Sequence, residues 1–273
     1  MLHEESEYDL IFDNVIACWN FNKQEELKRE QDETEEVIVK EECLLKNIDF
    51  KMKLGQKIAI IGTVGSGKTS MLLATLGEMP LVTGSILTKA DTKIVYAEQE
   101  PLIVTGTIQS NILFGLPYEE EWYNEVCRAC CLDAEFEEMP SGDMTKLGEM
   151  GHSLSGGQKS RISLARALYR RDSKVVLIDG SLGTLDANVS SQVLDRAIFG
   201  LCRDKLVLFV THNLEHAAMM DQVIYLKGKG VSGRLMNQED FKLSIDELRG
   251  HLVNEIISNP SQNYESKEKN KDE

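Results

Sequence analysis

The chain has 273 residues, 42% of them hydrophobic, which is enough for one large domain with a sizeable core or for two small ones. Its formal charge of -15 argues against nucleic acid as a partner held by bulk electrostatics, because phosphate backbones are gripped by a basic face. No apolar run approaches the ~18 to 20 residues needed to cross a bilayer, and the opening MLHEESEY is too acidic and polar for a secretory signal, so the chain as given is expected to be soluble.

In chain order, residues 21–42 (FNKQEELKREQDETEEVIVKEE) are dense in Glu and Lys and predict an exposed loop or insertion between two strands. Five short aliphatic runs then predict strands buried on both faces: KIAIIG (57–62), KIVYA (93–97), KVVLID (174–179), KLVLFVTH (205–212) and QVIYLKG (222–228). Apolarity that is continuous rather than alternating marks a parallel sheet covered by helices. Helical patterns at 68–79, 156–171 and 188–199 separate them, which gives an α/β fold. The stretch of about 75 residues between the second and third strands is too long for a loop and predicts a helical subdomain. From about Asn259 the composition is that of a disordered tail.

Six irregularly spaced cysteines do not form a disulfide framework at this length and predict a reducing compartment. The tightest group, CRACC, falls in a helical pattern that puts Val126, Cys130 and Cys131 on one face, where cysteine packs as a small hydrophobe. His212 and His216 sit four apart but have no partner ligands in sequence, so zinc is discounted.

The segment GTVGSGKTS (62–70) matches GxxxxGK[ST] between a predicted strand and a predicted helix, the context this phosphate loop requires. Gly62, Gly65 and Gly67 let the backbone curl so that successive N–H groups face phosphate oxygens. The candidate nucleotide-binding residues are therefore Gly62, Thr63, Val64, Gly65, Ser66, Gly67, Lys68, Thr69 and Ser70. Lys68 supplies charge for the β and γ phosphates, Thr69 a hydroxyl for Mg²⁺, and the helix start its dipole. Asp179, at the end of an apolar strand, is the natural second Mg²⁺ partner, through water. No NKxD base-reading motif and no kinase-type lid is apparent. Instead LSGGQ, with Ser155, Gly156, Gly157 and Gln158, opens a helix and makes a second anion cradle. One triphosphate does not need two cradles, so the second should face a nucleotide held by another domain.

With these motifs in this order, the sequence resembles a nucleotide-binding domain of the ABC transporter superfamily, from about Leu10 to Leu248. Gln99 in YAEQEPLI resembles the Q-loop glutamine, which contacts Mg²⁺ and links to the membrane domain; Asp186 in GTLD resembles the D-loop; His212 in VTHN resembles the switch histidine. Trp19 stands where the family places an aromatic that stacks on adenine. VTGTIQSNILFG and the region around LSGGQ resemble the multidrug-resistance-associated, or C, subfamily, and the chain is most like its first nucleotide-binding domain.

The resemblance implies a P-loop NTPase (RecA-like) core with a mostly parallel sheet, an antiparallel β subdomain and an inserted helical subdomain. Residues 1–258 would form the domain, with core 1–98 and 172–258, helical part 99–171 and tail 259–273. It implies Mg·ATP as ligand and Lys68, Gln99, Asp179 and His212 as catalytic groups, with Thr69, Gln99 and Asp179 at the Mg²⁺. It also implies a second nucleotide-binding domain and transmembrane domains as partners, at the cytoplasmic face of a membrane. The sequence departs from the family at Gly180, where the fully active pattern has a glutamate that polarises the attacking water, and at Ser181, where it has proline. Binding without hydrolysis at this site is the expectation. A soluble ABC ATPase of repair or translation and an ATP-gated channel domain stay open as alternatives.

Overall fold

The computed structural model describes residue 2 and residues 6–19, 44–228 and 233–258, with side chains to residue 250. The Glu/Lys-rich segment 21–42 and the tail from 259 lie outside the described residues. Strands β1 (Leu10–Ala17), β2 (Leu45–Met52) and β3 (Lys57–Gly62) lead into helix α1 (Lys68–Thr75), followed by β4 (Leu81–Thr88) and β5 (Ile94–Ala97). The next stretch holds a two-residue strand β6 (Gly106–Thr107), helices α2 (Ile108–Leu113), α3 (Glu120–Ala129) and α4 (Asp133–Glu138), strand β7 (Lys146–Leu147) and helix α5 (Gly156–Tyr169). The chain then alternates: β8 (Val175–Asp179), α6 (Ala187–Val193), β9 (Leu206–Val210), α7 (Leu214–Ala218), β10 (Gln222–Leu226), β11 (Gly233–Asn237) and α8 (Gln238–Ser258).

Six strands form one sheet in the order β11-β10-β3-β9-β8-β5, parallel except for β11 at its edge. Every residue of β3, β8 and β9 is buried, as their unbroken apolar runs require. Alternate side chains point to opposite faces. Ala59, Ile61, Val176, Ile178, Val207 and Phe209 join a core shared with the helices of residues 108–169 and 187–201. Ile58, Ile60, Leu177 and Leu208 join a second core with Met71 and Leu72 of α1 and Phe12, Ile48 and Phe50 of a separate antiparallel sheet. That sheet has the order β2-β1-β4.

The expected elements need trimming at their ends. Helix α1 stops at Thr75 rather than 79, because Gly77 and Glu78 turn back to donate to the Ala74 and Leu73 carbonyls. Helix α5 ends at Tyr169, two residues early. The third helix starts at Ala187, where Asp186 caps the Asn188 and Val189 amides, and continues past 199 in a wider π-type winding to Leu201. The sheet strands are shorter than expected by one to three residues at their ends, except β3, which matches. Helix α3 ends at Ala129 and Cys131 adopts a left-handed conformation (φ 54°), so Cys131 leaves the shared face and is only half-buried, while Cys127 joins Val126 and Cys130 in the core.

No helix among the described residues is long and apolar enough to cross a membrane.

Candidate nucleotide site

In a parallel sheet, the loops that leave the carboxyl ends of the strands share one edge. Here β3 ends in the phosphate loop, β9 runs into Thr211 and His212, β8 ends at Asp179, and β5 leads to Gln99. Their order β3-β9-β8-β5 brings these groups together although they are up to 150 positions apart in the chain. The register fixes the spacing: Asp179 lies opposite Val210, the Gly180 amide donates to the Val210 carbonyl (3.2 Å), and the Thr211 amide donates to the Ile60 carbonyl (3.2 Å).

Gly62 passes so close to β10 that a β-carbon on it would lie 2.4 Å from the Leu226 carbonyl oxygen and 2.6 Å from Ser66 Oγ, so only glycine fits. The Ser66 hydroxyl is buried and has no hydrogen-bond partner, an orphan polar atom inside a loop shaped for an anion. Val64 and Gly65 are exposed at the loop tip, and Thr63 and Thr69 are half-buried. Lys68 is buried and folds back over the loop, donating to the Gly62 carbonyl (3.0 Å) and the Thr63 carbonyl (2.7 Å). Burial lowers its pKa to about 8, against the opposing pull of Asp179. Trp19 has 46% of its surface exposed beside this loop, and its indole N–H donates to Ser70 Oγ on α1 (3.1 Å).

Asp179 is a buried carboxylate, 1% exposed, and its side-chain hydrogen bond comes from the Tyr96 hydroxyl (3.2 Å to Oδ2). A buried carboxylate with no cation in contact calls for one, and a carboxylate, the Thr69 hydroxyl and the Gln99 amide oxygen are the kind of oxygen donors that would suit Mg²⁺. Gln99 itself is exposed, and a β-carbon added at Gly180 would meet its Cγ at 3.8 Å, so the two lie side by side.

Beyond Gly180 opens a cavity of about 400 Å³, lined by Gly180, Leu182, Leu185 and Ser190 on one side and by Phe209, Thr211, His212 and His216 on the other. None of its lining residues carries a carboxylate. Its titratable groups are two imidazoles. Burial and then the neighbouring Lys68 hold His212 below its ordinary pKa, with Asp179 pulling the other way, and burial lowers His216. Glu98, the carboxylate next to Gln99 in sequence, accepts from the Leu102 amide (2.8 Å) and faces Arg166 (3.8 Å), so it is committed elsewhere.

Ser155 to Gln158 open α5, where a β-carbon on Gly157 would meet Leu185 Cδ2 at 3.2 Å. Ser155 caps α5 by accepting from the Gln158 amide (3.2 Å), and Gln158 Oε1 accepts from the Ser155 amide (2.9 Å), a reciprocal capping box. Ser155 and Gly156 are exposed. The helix is tied to the turn after Asp179 through the hydroxyl pair Ser160 Oγ and Thr184 Oγ1 (3.1 Å).

The structure thus brings the phosphate loop, Gln99, Asp179 and His212 to one edge of the parallel sheet, places Trp19 against Ser70 of α1, and leaves Ser155 and Gly156 exposed. Tyr96 and the Ser160–Thr184 pair escaped the sequence reading. Tyr96 lies within a run that reads as a core strand, which ends two residues before Gln99, and only the pairing of β5 with β8 brings it to Asp179. Among the described residues no group of His, Cys, Asp or Glu side chains is placed to hold a metal ion unaided.

Residues 45–182, just over half of the chain, match the family model described as ABC transporter. ABC transporter C family member 7 of Arabidopsis thaliana is 44% identical over 183 residues, 67% of this chain and 12% of that protein. ATP-binding cassette sub-family C member 2 of Rattus norvegicus is 41% identical over 191 residues, 69% of this chain and 12% of that protein. ATP-binding cassette sub-family C member 4 of Homo sapiens is 37% identical over 202 residues, 74% of this chain and 15% of that protein. The chain therefore spans about an eighth of the length of the relatives it matches. It belongs to the ABC transporter family, as an ATP-binding domain of the C-family type.

Proposed function

We propose that this domain binds Mg·ATP and retains it at a site that does not hydrolyse it, while its LSGGQ completes the hydrolytic site of a second nucleotide-binding domain. The carboxylate-free cavity beside Gly180 carries this reading. Water attacking the terminal phosphate needs a base within hydrogen-bond reach, and removal of a general base typically forfeits about 10² to 10⁴ in rate. The binding groups are separate from that defect: Lys68 for the phosphates, Trp19 for the adenine, and Thr69, Asp179 and Gln99 around Mg²⁺. The metal would neutralise charge on the phosphates when bound.

The reading divides the chain into a core of residues 1–98 and 172–258 and a helical part of residues 99–171. The relatives' names describe transporters, so the domain is the motor of a C-family exporter on this reading. It would pair with a second nucleotide-binding domain and with transmembrane domains at the cytoplasmic face of the membrane. Nucleic acid has no role in it.

The first test is binding by the chain itself, followed by quenching of Trp19 fluorescence. Lys68→Ala is expected to weaken Mg·ATP binding by roughly 10- to 100-fold, the contribution of a hydrogen bond to a charged group. Unchanged affinity would contradict the assignment of the loop. Binding should also depend on pH with a defined sign. Burial lowers the Lys68 pKa to about 8, and a bound triphosphate favours the ammonium form and raises it. Affinity is therefore constant below pH 8 and falls as pH rises above it, with net proton uptake on binding. Calorimetry in two buffers of different ionisation enthalpy measures that uptake, and proton release near pH 8.5 would refute it.

A further inference from the structure

We propose that Tyr96 is a positioning residue for the metal: its hydroxyl pins one oxygen of Asp179 so that the other faces the Mg²⁺ of a bound nucleotide. This rests on the Mg·ATP reading above.

The geometry comes from the sheet. Tyr96 in β5 pairs with Leu177 in β8, so Asp179, two residues further along β8, projects from the same face as Leu177. The Tyr96 ring packs against the core that contains Leu177, on the face from which Asp179 projects. There the hydroxyl donates to Asp179 Oδ2 at 3.2 Å. A phenol is protonated throughout the neutral range, so it always presents a donor to this oxygen. Asp179 is 1% exposed, and Lys68, the cation that acts on it electrostatically, spends its hydrogen bonds on the Gly62 and Thr63 carbonyls. The carboxylate is therefore held from one side by a neutral donor and left with its other oxygen for a cation or its water.

Gln99 follows two residues after the end of the same short strand, so one edge strand sets both a donor for the metal and the partner that orients the buried carboxylate. Partners of this kind fix the orientation of a metal-binding group, and their loss typically lowers metal affinity about 10- to 100-fold.

The experiment titrates Mg²⁺ into the chain at fixed ATP, following Trp19 fluorescence, with Mn²⁺ bound in the ternary complex read by electron paramagnetic resonance. Tyr96→Phe keeps the ring and removes the donor. The expected result is an increase of about 10-fold or more in the Mg²⁺ concentration at half-saturation, with ATP affinity in EDTA unchanged. A ring that only packs would leave the Mg²⁺ dependence alone, and that outcome overturns the proposal, as would an equal loss with and without metal. A second comparison separates orientation of the carboxylate from packing, with thermal melting confirming that each variant is folded: Asp179→Asn and Asp179→Asn/Tyr96→Phe should have the same Mg²⁺ half-saturation, since no carboxylate remains to be oriented. A further loss in the double variant would overturn the proposal. If the unaltered chain binds ATP with no Mg²⁺ dependence, the parent reading of the metal site fails too; if it binds normally and only the Tyr96 comparisons are flat, this proposal alone fails.

Discussion

Gly180→Glu is expected to raise ATP turnover at this domain's own site by about 10² or more once a second nucleotide-binding domain is supplied, because it restores a base where the cavity has none. The substitution is not a simple addition of a side chain. Gly180 has φ 59°, in the left-handed region, where an L-residue costs roughly 1 to 2 kcal/mol. Space is not the obstacle, since the new β-carbon would sit 3.8 Å from Gln99 Cγ, an ordinary contact. Gly180→Ala is the matched control, carrying the backbone cost without the base. Both variants should melt a few degrees lower, as about 1 to 2 kcal/mol implies for a domain of this size. Only the glutamate should gain turnover. Equal turnover in the two variants would place the defect elsewhere, for example at Ser181, whose buried hydroxyl has no hydrogen-bond partner.

The second large effect is expected in trans. Ser155→Ala should lower turnover of the paired domains by about 10²-fold, the typical loss when one preorganised donor to a developing charge is removed. It should leave the Mg·ATP affinity of this chain's own phosphate loop unchanged. The hydroxyl has two tasks, since it also caps α5, and loss of that cap costs about 1 kcal/mol of stability. Titration of the variant chain into a constant amount of partner domain separates the two, because a stability defect is offset by more chain and a missing donor is not. A parallel fall in this chain's own ATP affinity would mean that both cradles serve one nucleotide.

Much of this site was legible because its parts are local. The phosphate loop is nine contiguous residues, and the capping box of Ser155 and Gln158 spans four. The buried strands announced themselves by unbroken aliphatic runs, which no exposed element sustains. The antiparallel sheet announced itself less well. In β1, Asn14 takes a left-handed conformation and the register shifts between Phe12 and Val15; in β2, Asn47 does the same. Such bulges break the two-residue period by which a half-buried strand is recognised. Cys131 was misplaced for a related reason, since a left-handed residue ended the helix before the periodic pattern ended. Tyr96 could not be assigned from the chain alone. Its partner is 83 positions away, and only the pairing of β5 with β8 makes them neighbours.

The central claim is that holding a triphosphate and cleaving it are separate properties here, and the direct measurement is the fate of the nucleotide. The purified chain is mixed with radiolabelled ATP and Mg²⁺, separated from free nucleotide after many minutes, and its bound nucleotide is analysed. The account predicts intact ATP, bound in proportion to protein and lost in Lys68→Ala. Recovery of bound ADP, with phosphate released continuously by the monomeric chain and abolished by Lys68→Ala, would contradict it.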